Sequence, residues 1–223
     1  MENTGKKRCV VVAAGNLFGR RIEAGPGDLV IAADAGYRYC VEQGIKYDIL
    51  VGDFDSAPRP DFHGETVALP VRKDVTDTWQ AMEIAAERGY DEIILYGGGG
   101  GRIDHTLANI QTVCAHAIEG RRVTMLDDGM ALTAVHCGTL RVAKPPFDDS
   151  AAASPEDQPH IGVFAFGGRA EGVSISGTLY TMEDGCLEDT FPLGVSNLFA
   201  AGRGEAVVSV KSGTLIVCWQ DRI

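Results

Sequence analysis

The stretch LVGDFDS at residues 50–56 places two carboxylates, Asp53 and Asp55, one residue apart directly after an apolar run suited to burial. On extended backbone such side chains share a face about 6.6 Å apart. At an effective dielectric of about 20, two like charges at roughly that distance repel by about 2.5 kcal/mol. A bridging cation offsets the repulsion. Magnesium takes carboxylate oxygens, keeps several waters and completes its shell with substrate phosphates. Asp and Gly also build ordinary surface turns, so GDFDS alone leaves both readings open.

Two further stretches add to this chemistry. In Lys73-Asp74-Val75-Thr76-Asp77-Thr78, Thr76 reads as a helix N-cap and Asp77 falls in the first turn, where the helix dipole favours an ionised carboxylate. Asp77 is then a third metal-binding oxygen donor or simply a helix-start residue. Five consecutive glycines, 97–101, precede Arg102-Ile103-Asp104-His105. A glycine loop, an arginine and a helix start form a cradle of N–H groups for phosphate, at a high cost in backbone entropy. No G-K-[ST] follows, so this is not a Walker A loop. Asp104 fits a helix cap as well as a catalytic role, and His105 a structural role as well as phosphate binding or proton transfer. His63, His116, His136 and His160 show no ligand spacing.

The elements that position these groups follow from periodicity. Short apolar, β-branched runs recur at 9–14, 29–33, 49–51, 93–96 and 123–126, the pattern of strands buried on both faces. Helix-like segments at 35–43, 76–88 and 105–119 each stop at a glycine, Gly44, Gly89 or Gly120. In the third, Leu107, Ile110, Cys114, Ala117 and Ile118 mark an apolar stripe. The alternation predicts an α/β layer with a mostly parallel, Rossmann-like sheet. Ligands of such sheets bind beyond the carboxyl ends of the strands, and there stand Gly15-Asn16, Asp34, Asp53 and Asp55, and the glycine run.

From about Gly129 the helical spacing disappears and alternating runs such as 139–142, 173–176 and 214–219 replace it, predicting a small all-β sandwich. Asp184-Gly185 and Ser212-Gly213 read as tight turns. The Pro-rich segment 143–160 reads as a mobile loop inside the β half. Two domains are expected, 1–127 and 128–223. The 214–219 strand and Leu198-Phe199 are apolar enough for either an interface or the sandwich core.

Composition narrows the function class. A formal net charge of -11 argues against nucleic acid or an anionic membrane as partner, and no stretch approaches spanning length. The six cysteines form no C-x-x-C pair and mostly lie in apolar runs, as reduced core thiols of a cytoplasmic protein do. The short apolar run after the basic N-terminus suits a first strand better than a signal peptide.

Taken in order, Asp34-Ala35-Gly36, GDFDS, KDVTDT, GGGGGRIDH followed by Asn109, GTLY at 177–180 and GVSN at 194–197 resemble the thiamine pyrophosphokinase family. The resemblance runs from about Asp34 to the C-terminus, with 143–160 as an insertion. It implies an α/β nucleotide-binding catalytic domain and a β-sandwich that binds thiamine and dimerises, working as a homodimer. The implied reaction is magnesium-dependent transfer of the β,γ-diphosphate of ATP to the hydroxyethyl group of thiamine, releasing AMP. Carried over by motif, Asp53, Asp55 and Asp77 would hold magnesium. Asp34, Ser56, Lys73, Arg102, Asp104 and His105 would surround the nucleotide and its phosphates. Asn109, Tyr180, Ser196 and Asn197 would line the thiamine site, although Tyr180 equally suits packing in a β-sheet. Of these, Asp53, Asp55, Asp77, Arg102 and Asp104 would be the catalytic set, with Asp55 or Asp104 as a candidate proton acceptor.

Three positions depart from the family pattern: Ala35 for a glycine, Gly98 for an alanine, and Tyr180 where some relatives carry tryptophan. They bear on affinity more than on reaction type. Two alternatives stand beside this reading, a pyrophosphokinase for a hydroxymethylated pterin and a nucleotide-binding regulatory protein without turnover.

Overall fold

Apolar runs of four or five residues are too short to close a stable helix but long enough to cross a sheet. A computed structural model of the chain, described for residues 7–53, 60–69, 74–150, 152–154 and 157–221, makes such runs its central strands. The chain divides into two units: residues 1–112 with 121–128, and residues 113–120 with 129–223.

In the first unit, β1 (Arg8–Val12), β2 (Leu29–Ala33), β3 (Ile49–Gly52), β4 (Glu65–Ala68), β5 (Glu92–Tyr96) and β6 (Arg122–Leu126) lie in the order β4-β3-β2-β1-β5-β6. Every pairing among them is parallel. All residues of β2 and β3 are buried, as expected of strands covered on both faces. The edge strand β4 has no buried residue. With one neighbour and a polar composition it leaves no apolar run to find, and sequence periodicity missed it.

Helix α1 (Tyr37–Glu42) follows a 3₁₀ turn, Asp34–Gly36, and its Cys40 joins Val10, Val12, Val30 and Leu50 in one core cluster. Helix α2 (Asp77–Glu87) starts where expected: the Thr76 hydroxyl accepts the Trp79 N–H at 3.1 Å. Helix α3 (Ile103–Ile118) also forms, but its buried face shares only Cys114 and Ala117 with the predicted stripe. Leu107 and Ile118 are 56% and 57% exposed, whereas Asn109, Thr112, Val113 and His116 are buried with Cys114 and Ala117. Counting apolar residues located the helix and misplaced its face, because polar side chains occupy buried positions there.

The second unit is antiparallel. It holds β7 (Met130–His136), β8 (Thr139–Ala143), β9 (His160–Ser176), β10 (Met182–Leu187), β11 (Asn197–Leu198), β12 (Glu205–Ser209) and β13 (Ser212–Gln220). The 17-residue β9 organises it. Its first part pairs with β11 and β13, and its last part with β10 and β12. Gly167 and Gly168, at φ 73° and 130°, lie where the partners change, and only glycine adopts both conformations without strain. Read in sequence, that pair looks like a break, so only the last residues of β9 were foreseen.

Neither Asp184-Gly185 nor Ser212-Gly213 is a hairpin turn. Each sits inside a strand at a shift of register, the signature of a β-bulge. Leu198, Phe199, Leu215 and Val217 are buried in the core. The described part of 143–160 is tied down by Lys144, whose ammonium bonds Asp149 Oδ1 at 2.5 Å and Gln158 Oε1 at 2.6 Å. Asp149 in turn accepts the Gly202 N–H at 2.9 Å.

All six cysteines are free. Burial pushes the thiols of Cys9, Cys40 and Cys114 up to about 12, while Cys137 and Cys186 are exposed. Thiolate is the reactive form. Thiol titration of the native protein at pH 8 should therefore label Cys137 and Cys186 within minutes and spare Cys9, Cys40 and Cys114 until denaturant is added.

Candidate functional site at the strand ends of the first unit

Parallel strands deliver their following residues to one rim, and in this unit those residues line a cleft of about 600 Å³. Ala13 to Gly15 follow β1, Asp34 follows β2, Asp53 follows β3, and the glycine run follows β5. The starts of α2 and α3 complete the wall. Two helix N-termini and a glycine run thus face a space flanked by carboxylates.

Of the residues singled out by sequence, Asp34, Asp53, Asp77, Arg102, His105 and Asn109 line this cleft together. Asp55, Ser56 and Lys73 lie outside the described residues. Asp104 does not line the cleft. Its carboxylate takes the Arg102 guanidinium from both sides, at 3.1 and 2.5 Å, and accepts the His105 N–H at 3.0 Å. Asp104 is therefore not the cap but a first-turn residue of α3, and the counter-ion of Arg102. The Arg102 guanidinium and, less strongly, the His105 N–H hold its carboxyl below the usual carboxylate range.

Asp34 has φ 52°, uncommon outside glycine. Asp tolerates this conformation better than most residues, and the turn lets the chain leave β2 with Asp34 at the cleft. Just beyond it, a Cβ on Gly36 would overlap the Val12 carbonyl oxygen, so only glycine brings the start of α1 this close to β1.

The glycine run does two jobs. The Gly15 and Asn16 N–H groups donate to the carbonyls of Gly97 and Gly99 at 2.9 and 2.8 Å, extending the contact of β1 with β5 past the strand ends. A Cβ on Gly15 would overlap both carbonyl oxygens, and one on Gly99 would overlap the Asp127 carboxylate. Asn109 Nδ2 donates to the Gly98 carbonyl at 2.7 Å, and the Tyr39 hydroxyl to the Gly15 carbonyl at 2.8 Å. Gly101 has nothing within 4 Å of its would-be Cβ and borders the cleft. Glycines 97–99 thus pack tightly against their neighbours while lining the cleft, and Gly101 lines it with open space around it.

Sequence reasoning missed Tyr39, which carries no motif signal, and Asp127. The latter had a signal, since it follows β6 on the same rim as the other acidic groups.

Among the described residues, no group of three or more His, Cys, Asp or Glu side chains is arranged to hold a metal. Asp53 and Asp77 nevertheless supply two carboxylates to the cleft. That donor set fits magnesium, which needs only one or two carboxylates when waters and phosphate oxygens complete the shell.

In the second unit, Tyr180 is 67% exposed and Asn197 is 6% exposed. Ser196 has φ 58°. The backbone of Gly194 lies against β9: its carbonyl accepts the Val163 N–H at 3.0 Å, and a Cβ there would overlap the Val163 carbonyl.

Fold and cleft together define a mixed α/β protein with a ligand crevice at the carboxyl ends of its parallel strands. Two family models match the chain in order: the thiamin pyrophosphokinase catalytic domain over residues 25–125 and the thiamin pyrophosphokinase vitamin B1 binding domain over residues 151–215. Together they span more than half of it, and the chain belongs to the thiamin pyrophosphokinase family, whose members are ATP-dependent diphosphotransferases. Thiamine pyrophosphokinase from Bacillus subtilis has the same fold, with TM-score 0.79 and 23% identity over 97% of this chain and 100% of that one. A thiamin pyrophosphokinase family protein from Enterococcus faecalis matches with TM-score 0.79 and 25% identity, covering 96% and 99% of the two chains. Thiamin pyrophosphokinase from Candida albicans matches with TM-score 0.74 and 16% identity, covering 96% and 89%. No curated protein matches the sequence.

The two glycine roles separate by mutation. Gly15→Ala should destabilise the protein by about 1–3 kcal/mol through overpacking, read as a lower urea midpoint. Gly101→Ala should leave the midpoint within about 0.5 kcal/mol of wild type and weaken ATP binding instead.

Proposed function

We propose that this chain transfers the β,γ-diphosphate of ATP, with magnesium, to the hydroxyethyl oxygen of thiamine, giving thiamine diphosphate and AMP. The observation that carries the reading is the pairing, on one chain, of a carboxylate-and-arginine cleft at parallel strand ends with a segment matched by the vitamin B1 binding model. In this reading, residues 1–127 form a Rossmann-like nucleotide-binding catalytic domain. Residues 128–223 form a β-sandwich that binds thiamine and supports a homodimer.

Diphosphoryl transfer needs alignment of two substrates and neutralisation of spreading negative charge more than covalent help. Asp53 and Asp77, with Asp55, would hold magnesium, which when bound would supply neutralisation of phosphate charge. Arg102, His105, Lys73 and Ser56 receive the phosphates, with the N–H groups at the start of α3 beside them. Asp34 faces the rest of the nucleotide. Tyr180 offers a flat ring to the cationic thiazolium or to the pyrimidine, with Ser196 contributing to the thiamine site. Asp104, its carboxyl held low by Arg102, is a weak base. Asp104 aims the guanidinium, and Asp55 and Asp104 both stand as candidate proton acceptors.

Leu179, Phe191, Leu193 and Val195 on the second unit are exposed apolar side chains of the kind subunit interfaces cover. The free thiols fit a cytoplasmic address. Among the described residues, no helix is long and apolar enough to cross a membrane.

The test is AMP release from ATP with each alcohol. AMP should appear with thiamine and magnesium and stop with a chelator, and Asp53→Asn should lower kcat/KM by about 100-fold or more. AMP formed only with a hydroxymethylpterin, or ATP bound without AMP formation, would replace the proposal with one of its two alternatives. Light scattering should return about twice the 23.7 kDa chain mass.

A further inference from the structure

We infer that Asn197 is a positioning residue: its carboxamide fixes the backbone of Tyr180 so that the exposed ring is held ready before any ligand arrives. The inference rests on the proposed use of that ring for thiamine and deepens it.

Segments 177–180 and 197–200 run antiparallel. The Leu179 N–H donates to the Leu198 carbonyl at 2.9 Å, the Ala200 N–H donates to the Gly177 carbonyl at 2.9 Å, and Thr178 bridges to Phe199. In the same register Tyr180 falls opposite Asn197. That is a non-hydrogen-bonded pair position of the antiparallel register, where the Tyr180 N–H and carbonyl have no backbone partner in the facing segment, and Ser196 just beyond turns into the left-handed region at φ 58°.

The Asn197 side chain bonds both of these groups. Its Oδ1 accepts the Tyr180 N–H at 3.0 Å and the Leu198 N–H at 2.9 Å, while its Nδ2 donates to the Tyr180 carbonyl at 2.7 Å. The Thr178 hydroxyl donates to the same carbonyl at 2.9 Å. Both backbone polar groups of Tyr180 are thereby bonded within the unit. Asn197 is 6% exposed, and the acceptor capacity of its oxygen is used in full. A residue so occupied offers a substrate at most one N–H, whereas its hold on Tyr180 is complete.

The contrast between a fully bonded backbone and a ring that is 67% exposed is what gives the clamp a function. An exposed aromatic on a loose loop has ordering entropy to lose on binding, and holding the loop beforehand removes that loss. Leu cannot accept or donate, and Asp keeps the two acceptor bonds while losing the Nδ2 donor, so the two variants dissect the clamp.

Two measurements on the full-length protein test this. Hydrogen exchange without substrates should show the Tyr180 amide protected in wild type, exposed by at least tenfold faster exchange in Asn197→Leu, and intermediate in Asn197→Asp. Unchanged exchange in Asn197→Leu overturns the clamp whether or not the chain acts on thiamine. In the AMP assay, Asn197→Leu should raise KM for thiamine about tenfold, with kcat and KM for ATP within twofold. That increase should vanish in a Tyr180→Ala background, because the two residues act through one contact. Additive effects of the two substitutions overturn the positioning role and make Asn197 a direct ligand. Faster exchange in a wild-type-active protein whose KM for thiamine is unmoved confines Asn197 to folding and also overturns it. A wild type that releases no AMP with thiamine refutes the proposed function separately, and the exchange result still decides the clamp.

Discussion

The first unit depends on how closely two backbones approach where β1 and β5 end. Past Val12 and Tyr96 the chains stay hydrogen bonded through Ala13, Gly15 and Asn16, with donor–acceptor distances of 2.8 to 2.9 Å. Side chains on Gly15 or Gly97 would fill the space that these bonds need, and one on Gly99 would meet the Asp127 carboxylate. Everything at the rim is placed by that apposition. It sets the glycine run against β6 through Met125 and Asp127, sends the chain into α3 at Arg102, and gives Asn109 and Tyr39 carbonyls to bond. The entropy that glycine loses on folding is thus spent on a rigid cradle rather than a flexible loop.

Charge in the cleft is arranged by the same frame. Asp34, Asp53 and Asp77 come from three different elements, so their separation is set by strand spacing and by the cap of α2, not by local chain geometry. Arg102 is held by Asp104 at the start of α3. An ion pair this exposed adds little stability, but it limits the orientations of the guanidinium at the edge of the cleft. Acidic groups and a positioned cation around N–H-rich helix starts suit a metal-bound phosphate chain better than either ion alone.

The second unit solves a different problem with related means. β9 is too long to stay straight, and Gly167 and Gly168 let it change partners midway. Opposite Tyr180, at a pair position where an antiparallel register makes no backbone bond, the buried Asn197 side chain bonds the Tyr180 N–H and carbonyl. In each unit a buried asparagine, Asn109 or Asn197, is committed to holding the backbone.

Much of this was legible from residue order. Buried strands β1, β2, β3, β5 and β6 announced themselves as apolar runs, Thr76 as a cap, and the acidic and glycine motifs as a phosphate-handling set, because burial, capping and turn preferences are local and periodic. Four features were not legible: the edge strand β4, the buried face of α3, the full length of β9, and the packing role of glycines 97–99. Each depends on neighbours distant in the chain. A polar strand is a strand only if another lies beside it, His116 and Asn109 are interior only because of what surrounds them, and a glycine is required only where another backbone arrives. Residue types therefore determined which chemistry the chain can support and roughly where its elements run. Tertiary structure alone decided which side chains meet and which, like Asn197, are occupied within the fold, because distance and burial are set by the packing of segments far apart in sequence.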